Sequence, residues 1–166
     1  GVDVKAGVLA KGISKDGDAF VVQLDNGDEI QADFVLAGIG IAPNVELASH
    51  AGLDVDNGIV VNEYCQTNHP DVYAAGDVAR FHNPLLDENI RVEHEDNANS
   101  MGAVAGKCMA GEKVRYDHLP LFYSDMFDMG YEAVGHAKSK LETIEFWGED
   151  YEKGIVFYMS QNRVQG

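Results

Sequence analysis

The sequence predicts an α/β fold followed by an α+β segment, and three observations carry that expectation. Alternating apolar residues punctuated by hairpin turns open the chain. In the middle, a short apolar strand delivers Gly76-Asp77 ahead of a long helical pattern rich in small residues. Aromatic and β-branched segments at strand spacing close it. Apolar residues make up 45% and charged residues 24% of the 166, the balance of a globular domain. No apolar run approaches the roughly 18 residues a bilayer crossing needs, so no membrane span is expected.

Residues 7–40 read as a β-meander. Phe20, Val22 and Leu24 alternate along one strand face, and Asp16-Gly17 and Asn26-Gly27 are hairpin pairs whose residues accept positive φ. A short apolar strand, Asp33–Ala37, then runs into Gly38-Ile-Gly40-Ile-Ala-Pro-Asn44. The two glycines are either a simple bend or room for a flat ligand ring. The spacing over Val45–Ala51 predicts a short helix, with Asn44 as N-cap and Gly52 as stop.

From Leu53 to Gly111 the pattern gives strands near Ile59–Val61 and Val72–Ala75, the Gly76-Asp77 turn, a polar loop at 82–89 and a helix over Glu93–Ala110. Ala98, Ser100, Gly102, Ala103, Ala105 and Gly106 line that helix. Small residues let a backbone or flat cofactor approach closely. In open α/β sheets, ligands bind at the carboxyl ends of strands, which is where Gly76 and Asp77 fall. The start of the Glu93–Ala110 helix offers unpaired N–H groups and a partial positive charge. A plain turn and an acidic first helical turn (Glu93, Glu95, Asp96) are the simpler readings. From Lys113 onward, strands are expected at Leu121–Asp125, Tyr131–Ala137, Leu141–Phe146 and Gly154–Met159, with Leu121–Asp125 and Gly130–Gly135 forming a hairpin with an aromatic core. The chain closes at Arg163-Val-Gln-Gly166 with no evident turn or cap.

The net charge of −16 argues against a nucleic-acid partner, which wants a basic face. The acids are spread along the chain, as on a solvated surface. Cys65 and Cys108 show no CxxC spacing, so neither a redox dithiol nor a cysteine metal site is expected. Two ordinary thiols suit a reducing, cytoplasmic setting. The absence of an initial Met, of a leader pattern and of a final cap leads to the expectation of a carboxy-terminal piece of a longer protein.

Five segments in order, DFVLAGIGIAPNVELA, VYAAGDVARF, RVEHEDNANSMGAVAGKCMAG, LFYSDMFDMGYEAVG and GEDYEKGIVFY, resemble apoptosis-inducing factor and the ferredoxin- and rubredoxin-reductase-type flavoproteins. Together they run through nearly the whole chain. The resemblance implies a partial FAD/NAD(P)-binding two-dinucleotide fold followed by a carboxy-terminal reductase domain of the dimerisation type. Residues 1–44 would be the tail of the NAD domain, 45–111 the returning part of the FAD domain, and 112–166 the start of the last domain.

By the same resemblance, Asp77 would bind the FAD ribityl chain, and His94 and Glu95 would line the isoalloxazine. Glu93 would grip the nicotinamide carboxamide of NAD(P)H. Gly40, His94 and Glu132 would border the NAD site, and Tyr123 would stack on nicotinamide or flavin. Glu93 and Tyr123 would thus be the catalytic pair. The implied activity is hydride transfer from NAD(P)H to FAD and on to an acceptor: a ferredoxin- or rubredoxin-like protein, a quinone or oxygen. On this plan the half-sheets around Leu36 and Tyr73 would expose apolar edges, for which a homodimer, strand swapping or a companion chain is the expected cover.

The sequence departs from the pattern in three places. Tyr123 stands where apoptosis-inducing factor has Trp. Glu95 and Asn97 replace two His in the flavin-facing turn. No GxGxxG precedes any βα unit, so the phosphate-cradling helix starts of both dinucleotide folds are absent. For these 166 residues alone, a cofactor-free scaffold without activity is therefore the competing expectation. A β-rich binding module unrelated to flavoproteins is another, and it requires Asp77 and the Glu93 helix to lie apart.

Overall fold

A computed structural model describes residues 1–148 and 152–166; Glu149, Asp150 and Tyr151 of the last motif lie outside the described residues. The chain divides into two compact units, residues 1–41 and 42–166.

The first unit is an antiparallel meander of β1 (Ala10–Asp16), β2 (Ala19–Leu24) and β3 (Glu29–Ala32). Asp16 pairs with Ala19, so the first turn is Gly17-Asp18, one position later than the expected pair, with Gly17 at φ 61°. The second hairpin falls where expected, but its loop has three residues, Asp25-Asn26-Gly27, with Leu24 N–H donating to Asp28 O at 2.9 Å and Gly27 alone of the three at positive φ. Asn26 Oδ1 accepts the Asp28 N–H at 3.0 Å, and Gly27 sits at φ 91°. The expected strand Asp33–Ala37 does not form. Phe34 is 80% and Leu36 91% exposed, because nothing in this unit pairs with their N–H and C=O groups, and a strand without a neighbour has nothing to hold it.

The second unit opens with α1 (Glu46–His50). Val45 rather than Asn44 is the N-cap, and no side chain caps the helix. The stop falls at Gly52 as expected. Gly52 N–H donates to Ser49 O at 3.0 Å and Leu53 N–H to Ala48 O at 3.0 Å, the paired bonds of a Schellman motif, with Gly52 at φ 75°. Next comes a mixed sheet of order β4-β5-β6: β4 (Ile59–Val60) runs parallel to β5 (Ala79–Asn83), and β6 (Glu88–Arg91) antiparallel to it. The expected strand Val72–Ala75 is reduced to one bridge, Tyr73 to Gln66. The expected polar loop at 82–89 is largely the β5–β6 hairpin. Its polar residues fit a strand because Asn83, fully buried, bonds the His118 carbonyl and accepts the Leu85 and Leu86 N–H groups.

α2 (Glu95–Met109) starts two residues later than predicted, with His94 as N-cap. Met101 and Ala105 of α2 pack into a core with Cys65, Phe81, Ile90, Val92 and Tyr116. Of its small residues, Ala98 closely approaches Gly76, whereas Gly102 and Gly106 face open space. Burial, helped by Cys108, pushes the Cys65 thiol up to about 11, so it packs as a small apolar group.

Beyond α2 lie the hairpin β7 (Leu121–Met126) with β8 (Met129–Val134), and a second antiparallel sheet of order β11-β10-β9: β9 (Glu142–Trp147), β10 (Gly154–Ser160) and β11 (Arg163–Val164). A turn that the sequence did not single out precedes the closing Arg163–Gly166 stretch. Gln161 and Asn162, at φ 51° and 60°, join β10 to β11 with Ser160 opposite Arg163, the two-residue geometry that demands positive φ at both positions.

Glu88 ties the β5–β6 hairpin to the chain beyond β8. Lys138 Nζ donates to its two carboxylate oxygens at 3.0 and 2.9 Å, and His136 Nε2 lies 2.6 Å from Oε2. The Lys138 hydrogen bond holds the Glu88 carboxyl below its ordinary 4.5. A depressed folded-state pKa gives stability that is present above the unfolded value and lost as pH falls through the folded one. With the Glu88 side chain 45% exposed, the expected contribution is about a few tenths of a kcal/mol. Urea midpoints at about pH 6 and about pH 3 should therefore fall slightly more for the native sequence than for Glu88→Gln. Equal losses would refute this.

Candidate cofactor site

Three pieces of chain converge at the amino-terminal end of α2. The first is a 3₁₀ turn, Gly76–Val78, in which Gly76 takes φ 74° and a Cβ placed on it would sit 3.5 Å from the Ala98 Cβ. The positive φ favours glycine here, while the distance to Ala98 would allow a Cβ. The turn leaves the Asp77 side chain exposed, and no protein group bonds its carboxylate among the described residues.

The second piece is the end of β6. Arg91 Nη1 donates to the Asp77 carbonyl at 2.9 Å, and Nη2 lies 2.7 Å from Glu93 Oε1. The Gly-Asp turn and the start of the Glu93 segment are therefore adjacent, which removes the unrelated β-rich module from consideration. The third piece is the helix terminus. His94 is extended (φ −114°, ψ 144°) and its side chain caps nothing. The first N–H groups of α2 thus keep their hydrogen-bonding capacity and the positive end of the helix dipole.

His94 Nδ1 is buried without a partner, and so is Arg91 Nε. Buried polar atoms without partners are uncommon and point to a missing ligand or solvent. The His94 ring lies 4.8 Å from that of Phe122, which docks β7 beside the helix terminus. Phe122 in turn meets Tyr131 edge-on at 5.8 Å.

Of the residues singled out in the sequence, Asp77, Glu93 and His94 are brought together. Glu95 follows on the exposed side of the first turn. Tyr123 and Glu132 pair across β7–β8 and so share one face, with Tyr123 63% exposed. Neighbouring strand residues alternate faces, so Tyr123 points opposite to Phe122 and away from His94. Gly40 lies in the first unit at φ 89°.

Asn97 is not flavin-facing. It is 1% exposed, its Nδ2 donates to Val92 O at 3.1 Å, and its Oδ1 accepts the Tyr116 hydroxyl at 2.9 Å. Burial pushes the Tyr116 hydroxyl up, which keeps it protonated as the donor. Asp96 is engaged by His118 Nε2 at 2.5 Å.

Arg91 and Phe122 are the site-building residues that sequence reasoning left without a role. For Arg91 a signal existed: in extended chain, residues i and i+2 share a face, so Arg91 and Glu93 in Arg-Val-Glu were poised to pair.

The pyridine nucleotide-disulphide oxidoreductase family profile matches residues 1–102, and the profile for the C-terminal part of mitochondrion-associated apoptosis-inducing factor matches residues 105–149. The chain is 38% identical to putidaredoxin reductase of Pseudomonas putida over 167 residues, covering 99% of this chain and 40% of that protein. It is 34% identical to mitochondrial apoptosis-inducing factor 1 of Dictyostelium discoideum over 178 residues, covering 98% of this chain and 33% of that protein. Against the reductase in the crystal structure of the covalent putidaredoxin reductase–putidaredoxin complex, the TM-score is 0.85 at 36% identity, over 98% of this chain and 40% of that one. The chain therefore spans well under half the length of these relatives. Its fold is a partial version of the reductases' mixed helix-and-sheet architecture. With the first profile covering well over half of its residues, the chain belongs to the pyridine nucleotide-disulphide oxidoreductase family.

Proposed function

We propose that this chain supplies the ring-facing half of the flavin site in an FAD-dependent NAD(P)H oxidoreductase that passes electrons to a ferredoxin-type protein. Its cofactors are those of the family, FAD and a pyridine nucleotide. The observation that carries the reading is the convergence of an unpartnered Asp77 carboxylate, an uncapped α2 terminus and the orphaned His94 Nδ1.

These residues fit a flavin. Bound FAD supplies an acceptor for hydride from reduced nicotinamide and a store from which electrons leave one at a time. Asp77 holds ribityl hydroxyls. The α2 terminus stabilises negative charge on the ring edge, a preorganised dipole aimed where charge develops. Glu93 accepts from the nicotinamide carboxamide, and its Oε2 has no protein partner among the described residues. His94 and Glu95 border the ring. The protein's contribution to the hydride step is orientation, with no side chain donating a proton. The relative crystallised in covalent complex with putidaredoxin supports an iron–sulfur protein as acceptor.

Glu93→Ala in the flavin-loaded protein, expressed from the full reading frame, should raise the KM for NAD(P)H about tenfold or more while the flavin-to-protein ratio stays unchanged. Unchanged nucleotide kinetics would remove this role.

A second reading applies to the 166 residues in isolation: a scaffold that binds no cofactor. The lack of any GxGxxG, and with it of the pyrophosphate contacts, favours it.

A further inference from the structure

We propose that Arg91 is a positioning residue that sets pyridine-nucleotide affinity through its bond to Glu93; the proposal rests on the flavoprotein reading above. The Arg91 side chain is 9% exposed and that of Glu93 is 40% exposed, so a fixed, buried fork holds a carboxylate that reaches solvent. One arm of the guanidinium takes Glu93 Oε1 and the other takes the Asp77 carbonyl, joining the nucleotide-facing and flavin-facing groups through one rigid plane.

The surroundings prevent this fork from swinging. A Cβ at Gly58 would lie 2.9 Å from Arg91 Cδ and 2.8 Å from the Val78 carbonyl, and Gly58 has φ 140°, so glycine is needed for the arginine stem to pass. Across the β5–β6 ladder Arg91 faces Arg80. Like charges placed opposite each other repel, and each arginine has its own carboxylate: Arg80 Nε lies 3.2 Å from Asp56 Oδ2, which leaves Glu93 to Arg91. With Oε1 taken, Glu93 presents Oε2 in a defined direction. A lysine ammonium at position 91 is a point charge and cannot bridge two acceptors in this geometry.

The test compares Arg91→Lys, Glu93→Gln and the double variant in the flavin-loaded protein expressed from the full reading frame. The readouts are the dissociation constant for NAD⁺ from perturbation of the flavin absorbance, the flavin-to-protein ratio and the melting temperature. Each single variant is expected to weaken NAD⁺ about tenfold with flavin retained, and the double variant also about tenfold rather than about a hundredfold, because both changes break one path.

Independent, multiplying effects would overturn the proposal. So would Arg91→Lys binding NAD⁺ within about twofold of the native protein while Glu93→Gln does not. Loss of flavin or of folding in Arg91→Lys would assign Arg91 a structural role and equally overturn it. If Glu93→Gln itself leaves NAD⁺ affinity intact, the role given to Glu93 fails, and the proposal with it.

Discussion

Asp77→Ala is expected to release flavin, weakening its retention by about 10- to 100-fold. Hydrogen bonds involving an ionised group contribute about 1.5–3 kcal/mol, and each 1.4 kcal/mol or so is tenfold in affinity. Among the described residues the carboxylate has no protein partner, so none of this binding energy is already committed to the fold. For the same reason the substitution should leave the unfolding free energy of the flavin-free protein within about 0.5 kcal/mol of native. Flavin absorbance per protein after gel filtration reads the first effect and urea unfolding the second. A variant that keeps stoichiometric flavin would remove Asp77 from the site. The carbonyl of the same residue is held by Arg91, so the turn itself should persist when the side chain is cut.

Asn97→Ala is expected to cost about 2–4 kcal/mol of folding stability, the range for stripping the partners from buried polar groups. The side chain is 1% exposed and bonds the Val92 carbonyl and the Tyr116 hydroxyl, which lies in a residue 3% exposed. Truncation leaves a carbonyl and a phenol with reduced satisfaction in the core beside Met101. Urea midpoints in the flavin-free protein check it, and a change below about 0.5 kcal/mol would mean that solvent replaces both bonds. Asn97 and Asp77 should thus behave in opposite ways, one decisive for the fold and the other for the ligand.

The contrast shows what the sequence made legible. Turns that depend on glycine were readable because φ is a local matter: Gly17, Gly27 and Gly52 all take positive φ. The antiparallel strands from Leu121 onward followed their alternation to within a few residues. The β5–β6 hairpin was hidden because Asn83 is buried by its bonds to His118, Leu85 and Leu86, and hydropathy has no symbol for a satisfied polar residue. The strand expected at Asp33–Ala37 failed for the reverse reason, since suitable side chains do not make a strand without a partner backbone, and Val72–Ala75 finds only the short stretch around Gln66 to pair with. For the site, the meeting of Asp77 with the start of α2 was anticipated. The inward turn of Asn97 was not, since an acidic, polar first turn gives no sign of which residue points to the core.

The bonds that assemble the site are short in sequence: 14 positions separate Arg91 from Asp77, and 5 separate Asn97 from Val92. Closing such small loops costs little chain entropy, and contacts between near neighbours favour fast folding. The ligand-facing cradle is consequently closed by short loops, whereas the Met101 core beside it also needs contacts as distant as Cys65 to Met101, 36 positions apart.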